Sequence, residues 1–566
     1  MKISFILYFL VLAGLLLPVG ALASSPRYVR LSYPEADAAT AIGIAWTTNS
    51  AGDPTVVQYG FDDTYGSEAQ GTAFSGSGDL QAIHEVTLTG LEPDTAYHYR
   101  VGGPGTWSDD FAFVTAPEDG CSPYTFIALG DDRSDNDYGP NPRWNGIIME
   151  AMETFPLFVL NSGDLVKDGG ESQQWDHWLE ETDPALAFAA HMPTIGNHDD
   201  GPGEGDGAHY NQIFHLPRNT VTGTEDYYYF TTGNAIMVSL STQSFKGGSI
   251  PFADQAAWLD QVLTENPRMW RFVFFHHPTY CSEDWFGLVH EPNEQKQNAA
   301  LTPLFDKHHV DIVFYGHNHW YERLGPLQSQ GGEPEGKEVG SYEDGTVYVV
   351  TGGAGAMAYN VIVNLFCPST AGSKVCSGDH HFVKIDLDYN KLTYTAQATK
   401  TQLIGTSDAN SKVIETFTIE KPVTGPNPCT PIPPVDPGPE SVSEVVAEPM
   451  PDVAEDVMIT DASKETGPGE TGPGDTAATQ DTPVVNPEVQ DATAQSDAGD
   501  LPPKTDGSMF IDVPGEGDSK SGGSCSVAGR STGFGPFVPF LVAGLLFWGL
   551  RRRKAQASLR TPNRFS

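Results

Sequence analysis

Five apolar runs in this chain each end on glycine or an aromatic residue and hand over at once to a side chain that ligates metals. They are YTFIALG before Asp131, FPLFVLNSG before Asp164, HMPTIG before Asn197-His198, WRFVFF before His276, and VDIVFYG before His317-Asn318-His319. One such junction means little: a lone Gly-Asp is ordinarily a turn, and a His-His pair is ordinarily packed or solvated. Five of them restrict the fold. Short continuous apolar runs read as buried strands, so every ligand falls at the carboxyl end of a strand, where open α/β folds build their sites. Helical patterns at 145–154, 172–180 and 251–263 alternate with these strands, which predicts a sheet covered by helices.

The ligand types narrow the chemistry. Two hard cations held close together require carboxylate, imidazole and amide oxygen, with one group shared between them. Asp164 is the natural bridge, because a carboxylate has two oxygens. His317 and His319 stand two apart in a loop, so their rings can serve different ions. Asn197 adds a neutral oxygen and keeps the set from repelling a phosphate. His198 is placed to protonate a leaving alkoxide as general acid.

The blocks Gly130-Asp131, GDLV (163–166), GNHD (196–199), HHP (276–278) and GHNH (316–319) resemble, in order, those of calcineurin-like metallophosphoesterases. The flanks VDIVFYGHNHWYER, LEPDTAYHYRVG and TVYVVTGGAG resemble purple acid phosphatases, and the likeness runs over residues 26–421. It implies an α/β/β/α sandwich with two metal ions (iron, zinc or manganese). One ion takes Asp131, Asp164 and His319. The other takes Asp164, Asn197, His276 and His317. Two positions depart from the pattern. Lys167 stands where purple acid phosphatases carry the iron-binding tyrosine, so no purple colour is expected. Arg133 stands where other members carry a ligating histidine, which leaves the first metal three evident protein ligands. Arg133 either forks onto a substrate phosphate, which suits guanidinium geometry, or pairs with Asp132, Asp135 or Asp137.

The 566 residues divide into several regions. Residues 1–23 read as a signal peptide: a basic Lys2, an apolar stretch and an Ala-Leu-Ala cleavage site. Residues 26–115 read as a fibronectin III-like β-sandwich. Trp46 is its core aromatic and Tyr97 forms a tyrosine corner. The catalytic domain occupies 123–421. An acidic, proline-rich stalk with no capacity for a core follows at 422–524. Residues 525–554 hold Cys525, an apolar run of transmembrane character and an arginine cluster. They resemble a Myxo-CTERM-type sorting signal, with a plain tail anchor as the alternative.

The chain carries 74 acidic against 31 basic residues, which excludes nucleic acid as a bulk partner. Export permits disulfides. Cys367–Cys376 is the favoured pair and Cys121–Cys429 a second one. The polar stretch 281–300 reads as a specificity loop whose His290 touches substrate. The acidic run 199–207 reads as a solvated loop beside the pocket.

Together these features describe an exported, surface-anchored phosphatase. It is expected to hydrolyse small phosphate monoesters by attack of a metal-bound hydroxide, with His198 and Arg133 as catalytic side chains. A phosphodiesterase or nucleotidase of the same superfamily is the alternative, as is a non-catalytic surface binding protein.

Overall fold

Each of the five apolar runs is a strand, and the strands fall into two sheets. The computed structural model describes residues 23–134, 141–199, 209–242, 251–282, 294–331, 336–358, 367–368, 372–399, 412–423 and 428–429. In the first sheet Tyr124–Leu129, Phe158–Asn161 and Ala190–Pro193 run parallel side by side. In the second, Ala235–Ser239, Trp270–Phe275, Ile312–Tyr315 and Thr346–Thr351 do the same. Antiparallel strands extend both sheets.

Strand parity decides what each face meets. Phe126 and Phe158 of the first sheet point at Phe272 and Phe230 of the second, with ring centroids 5.2 and 5.3 Å apart. The alternate residues Val273, Phe275, Val313 and Tyr315 face the other way. They pack with Trp258 and Leu259 of helix Phe252–Glu265 and with Leu301 and Phe305 of helix Glu294–Lys307. On the outer face of the first sheet, His191 lies against Trp178 of helix Ser172–Thr182, itself stacked on Trp144 of helix Pro142–Met152. The layers are therefore helices, sheet, sheet, helices. Strands buried on both faces are continuously apolar, which is why they stand out in the sequence.

The N-terminal module is a sandwich whose own two sheets enclose Trp46, fully buried and stacked on His84. The tyrosine corner is present: the backbone N–H of Glu92 donates to the Tyr97 hydroxyl at 2.9 Å. The module is not a bead on a linker, however. Its strand Arg27–Ser32 pairs in parallel with Ala190–Pro193 through Leu31 and Ala190, so one sheet runs without a break through both modules. Tyr99 further donates its hydroxyl to the carbonyl of Ala187 at 2.8 Å.

Two expectations change and one strand is added. The stretch 281–300 is not loop throughout, since a helix begins at Glu294 and runs to Lys307 despite Pro303 within it; its polar start and internal proline hide it. The helix expected at 145 begins at Pro142, capped by the Asn141 side chain accepting from Arg143 N–H. A further strand, Lys412–Glu420, closes the first sheet at its edge, where its half-exposed pattern carries a weak apolar signal. Cys121–Cys429 and Cys367–Cys376 are both bonded, and Cys281 is in neither disulfide. Among the described residues no helix is long and apolar enough to cross a membrane. Residues 1–22, Asp135, Asp137, His290, nearly all of the stalk, Cys525 and the C-terminal apolar run lie outside the described residues.

Two substitutions test this packing. Phe158→Ala removes a ring that touches Tyr33, Tyr124, Phe126 and Phe230. Chemical denaturation should show a loss of about 3–5 kcal/mol, and a loss under ~1 kcal/mol would mean that the sheets do not meet through this ring. His191 is fully buried with neither ring nitrogen hydrogen-bonded, and burial pushes its pKa down to about 3. The unfolded chain therefore binds the extra proton. Stability is whole above the unfolded pKa near 6.5 and drains away as pH falls toward 3. His191→Phe should remove about 2 kcal/mol of that acid penalty at pH 5, read as a smaller gap between melting temperatures at pH 7.5 and pH 5.

Candidate metal centre

The carboxyl ends of parallel strands from both sheets bring the predicted ligands together. Asp131, Asp164 and His317 all take left-handed backbone conformations, with φ of 57°, 59° and 68°. Non-glycine residues seldom adopt this region, and it clusters at functional sites. The glycines of the blocks are there for close approach. A Cβ on Gly316 would stand 2.4 Å from Asp131 Oδ2 and 3.0 Å from His276 Nδ1. One on Gly196 would stand 2.2 Å from Asp164 Oδ1.

The placement of protons shows what the pocket is built to hold. His276 Nδ1 donates to the Ser162 carbonyl at 2.9 Å, which leaves Nε2 as the nitrogen that faces the centre. That nitrogen faces Asn197 Oδ1 at 2.9 Å and Asp164 Oδ1 at 3.2 Å. Asn197 Oδ1 also lies 3.0 Å from His317 Nδ1. Imidazole nitrogens, an amide oxygen and a carboxylate oxygen gathered this closely form a set that a cation would satisfy. Ligand atoms around one ion with bonds near 2.1 Å stand about 3.0–3.4 Å apart, and these separations fit. Burial disfavours a charged His276, but the charge and hydrogen bond of Asp164, helped by Asp131 and the Ser162 carbonyl, together outweigh it and push the imidazole up to about 9, so a cation here would take the place of a proton on Nε2. Burial also opposes ionised Asp164, but His276, His198 and Arg133 hold its carboxyl well below the usual range. His317 is pushed down to about 3 by burial and by His276, so its ring is neutral and ready to ligate.

The second cluster sits beside the first. His319 Nδ1 donates to the carbonyl of Met357 at 3.0 Å, which aims Nε2 at Asp131 Oδ1, 3.4 Å away. Asp131 is fixed by accepting the backbone N–H of His317 at 2.9 and 3.0 Å. Asp164 divides its oxygens. Oδ1 faces His276, while Oδ2 faces Arg133 Nε at 3.5 Å and His198 Nε2 at 4.0 Å. Arg133 Nη2 is 3.5 Å from His319 Nε2. The side chain of Arg133 therefore points into the site. Pairing with Asp132 is overturned, because that carboxylate is buried against the Trp178 and Asn161 side chains at 2.7 and 3.0 Å. His198 donates Nδ1–H to the Lys167 carbonyl at 2.7 Å, so Nε2 is the atom turned to the pocket. Burial lowers its pKa and Asp164 opposes that shift. The structure thus brings together Asp131, Arg133, Asp164, Asn197, His198, His276, His317 and His319.

Sequence reasoning misses Asp199. Its pattern places it in a solvated loop, but it is buried, and its two oxygens accept the backbone N–H groups of Asp164, Leu165, Val166 and Gly196 at 2.7–3.3 Å. Burial and the Asp164 charge raise its pKa to about 7 even though those donors favour the anion. One carboxylate thereby holds the Asp164 loop to the Asn197 loop. The signal available is its place directly after Asn197-His198. His277 is a second residue that the pattern does not single out. Its Nδ1 meets Thr242 Oγ1 at 2.7 Å and its ring lies 4.4 Å from that of His317, which it props.

Known proteins are similar to this chain in sequence and in fold. Residues 26–115 match the purple acid phosphatase N-terminal domain, and residues 123–321 match the calcineurin-like phosphoesterase domain. A purple acid phosphatase of Glycine max is 31% identical over 264 residues, which is 43% of this chain and 52% of that protein. A probable inactive purple acid phosphatase of Arabidopsis thaliana is 28% identical over 309 residues, 48% of this chain and 49% of that one. The chain thus spans about half the length of these curated relatives. The solved purple acid phosphatase from yellow lupin (Lupinus luteus) seeds shares the fold, with a TM-score of 0.56 and 22% identity over 70% of this chain and 74% of that one.

Asp199→Asn keeps the shape but turns an amide N–H₂ toward two of the four backbone donors. Leaving such groups unpaired costs about 1–3 kcal/mol each. The variant should melt earlier and retain at least about tenfold less metal at equal chelator. Unchanged melting and metal content would show that the clamp is idle.

Proposed function

We propose that this chain, which carries a purple acid phosphatase N-terminal domain followed by a calcineurin-like phosphoesterase domain, hydrolyses phosphate monoesters at the cluster of side chains around Asp164. The observation that carries the reading is the convergence of ligand-type atoms from both sheets, with His198 and the Arg133 guanidinium facing the same Asp164 oxygen. Asp131, Asp164 and His319 would hold one cation, and Asp164, Asn197, His276 and His317 the other. Bound there, such cations activate water as a nucleophile and offset charge on phosphoryl oxygens.

The protein's own groups supply the rest. The backbone N–H of His198 donates to Asp164 Oδ1 at 2.9 Å, and its ring is locked by the Lys167 carbonyl. A leaving oxygen beside Asp164 Oδ2 therefore lies within reach of Nε2, which delivers the proton the alkoxide needs. Arg133 presents planar N–H donors on the same side and orients the phosphoryl group by forked hydrogen bonds. Its side chain is only 11% exposed, so those bonds form with little competition from water.

The reading extends to location. The apolar leader, the acidic stalk and the C-terminal run before Arg551-Arg552-Arg553 support an enzyme exported and tethered outside the cell. Two disulfides in the folded part support an oxidising compartment.

His198→Ala separates the acid role from general damage. Turnover of an alkyl phosphate should fall about 10²–10⁴-fold. p-Nitrophenyl phosphate, whose leaving group needs little protonation, should lose far less. Equal losses on both, or none, would remove His198 from the proton transfer. Faster turnover of bis(p-nitrophenyl) phosphate than of the monoester would make the enzyme a diesterase.

A further inference from the structure

The two clusters of ligand atoms share Asp164 but are not electrostatic equals. The Asp164/Asn197/His276/His317 cluster gathers four side chains, with Asn197 Oδ1 at 2.9 and 3.0 Å from two imidazole nitrogens. The Asp131/Asp164/His319 cluster gathers three. It also has a guanidinium against it: Arg133 lies 3.5 Å from Asp164 Oδ2 and 3.5 Å from His319 Nε2. These atoms belong to two of the three side chains that would hold an ion in this cluster. Arg133 is fixed in place from behind, since the Asn141 amide donates to its carbonyl at 3.0 Å and its own N–H donates to the Asp164 carbonyl at 3.1 Å. A fixed positive charge with a side chain 11% exposed is poorly screened by solvent. It competes for the same lone pairs and repels a second cation at close range.

We propose that Arg133 splits the centre into one retained and one labile metal position. The Asn197 side keeps its ion. The Asp131 side releases its ion first, because Arg133 already supplies positive charge there and anchors the phosphoryl group when that ion is absent. The inference deepens the phosphatase reading and rests on it for the two positions, but it is tested without substrate.

The test is stepwise removal of metal from the full chain, as purified and loaded with zinc, by dialysis against rising dipicolinate, with zinc per chain read by mass spectrometry. The wild type should lose its first ion at a chelator concentration at least about 100-fold below the second. Arg133→Gln should shrink that gap at least about tenfold, by holding the first ion more tightly while the second step stays in place. His319→Ala should carry one ion and lose it at the wild-type second step; this variant decides the matter if Arg133→Gln does not fold. A wild type that binds one zinc and gains a second in Arg133→Gln also supports the proposal. Simultaneous loss of both ions, an unchanged gap in Arg133→Gln, or loss of the tight step in His319→Ala would overturn it. Two unequal steps in a protein that turns over no phosphoester would sink the phosphatase reading alone. Two equal steps in an active phosphatase would sink only this inference.

Discussion

Burying the Asp164 carboxylate is the constraint to which the rest of the centre answers. An unpaired anion in a protein interior is prohibitive, so the chain surrounds it with compensation of several kinds. Backbone N–H from His198 reaches one oxygen, Arg133 approaches the other, and His276 adds a proton-hungry imidazole. The Asp199 clamp sets the turn that carries it, and Gly163 and Gly196 leave the room. The left-handed conformations at Asp131, Asp164 and His317 follow from this, because each must turn sharply off a strand end to reach one shared point. That strain persists because a core of aromatic rings locks the two sheets together.

Much of this is legible in the order of the residues alone. The five strands and their ligands are visible because strands buried on both faces have no polar residues to interrupt them, and because Gly-Asp, Gly-Asn-His and Gly-His-Asn-His break those runs abruptly. Tyr97 is legible for a similar reason, since its corner needs Leu91, Pro93 and Thr95 at fixed offsets. What stays hidden depends on pairing across long separations. Asp199 looks like the start of an acidic loop until the backbone N–H groups of Asp164 to Val166, more than thirty residues earlier, are folded onto it. The direction of Arg133 is equally open among its acidic neighbours. The Asp132 alternative closes only when Trp178 and Asn161 engage that carboxylate. Helix Glu294–Lys307 is masked by its proline and polar start, because its apolar face reads only against the strands it covers.

The shared sheet changes what the N-terminal module is for. A sandwich joined only by a linker would be a spacer. Here strand Arg27–Ser32 covers the edge of Ala190–Pro193, the strand that leads directly to Asn197 and His198. An uncovered strand edge is an aggregation hazard and frays. The module thus protects the backbone that positions Asn197 and His198.

The bond between Cys121 and Cys429 joins the start of the catalytic domain to the chain just past its last strand, a separation of 308 residues. On a protein tethered as proposed it is a mechanical component. Drag on the folded body pulls through the stalk beyond residue 429, and without the bond that force would arrive at Lys412–Glu420, an edge strand that can be peeled from its neighbour one hydrogen bond at a time. With the bond in place the load enters at Cys121, beside the first catalytic strand, and the edge strand lies inside a closed covalent loop that carries no tension. The fold can then be held in moving liquid without its sheet being unzipped from the anchored end.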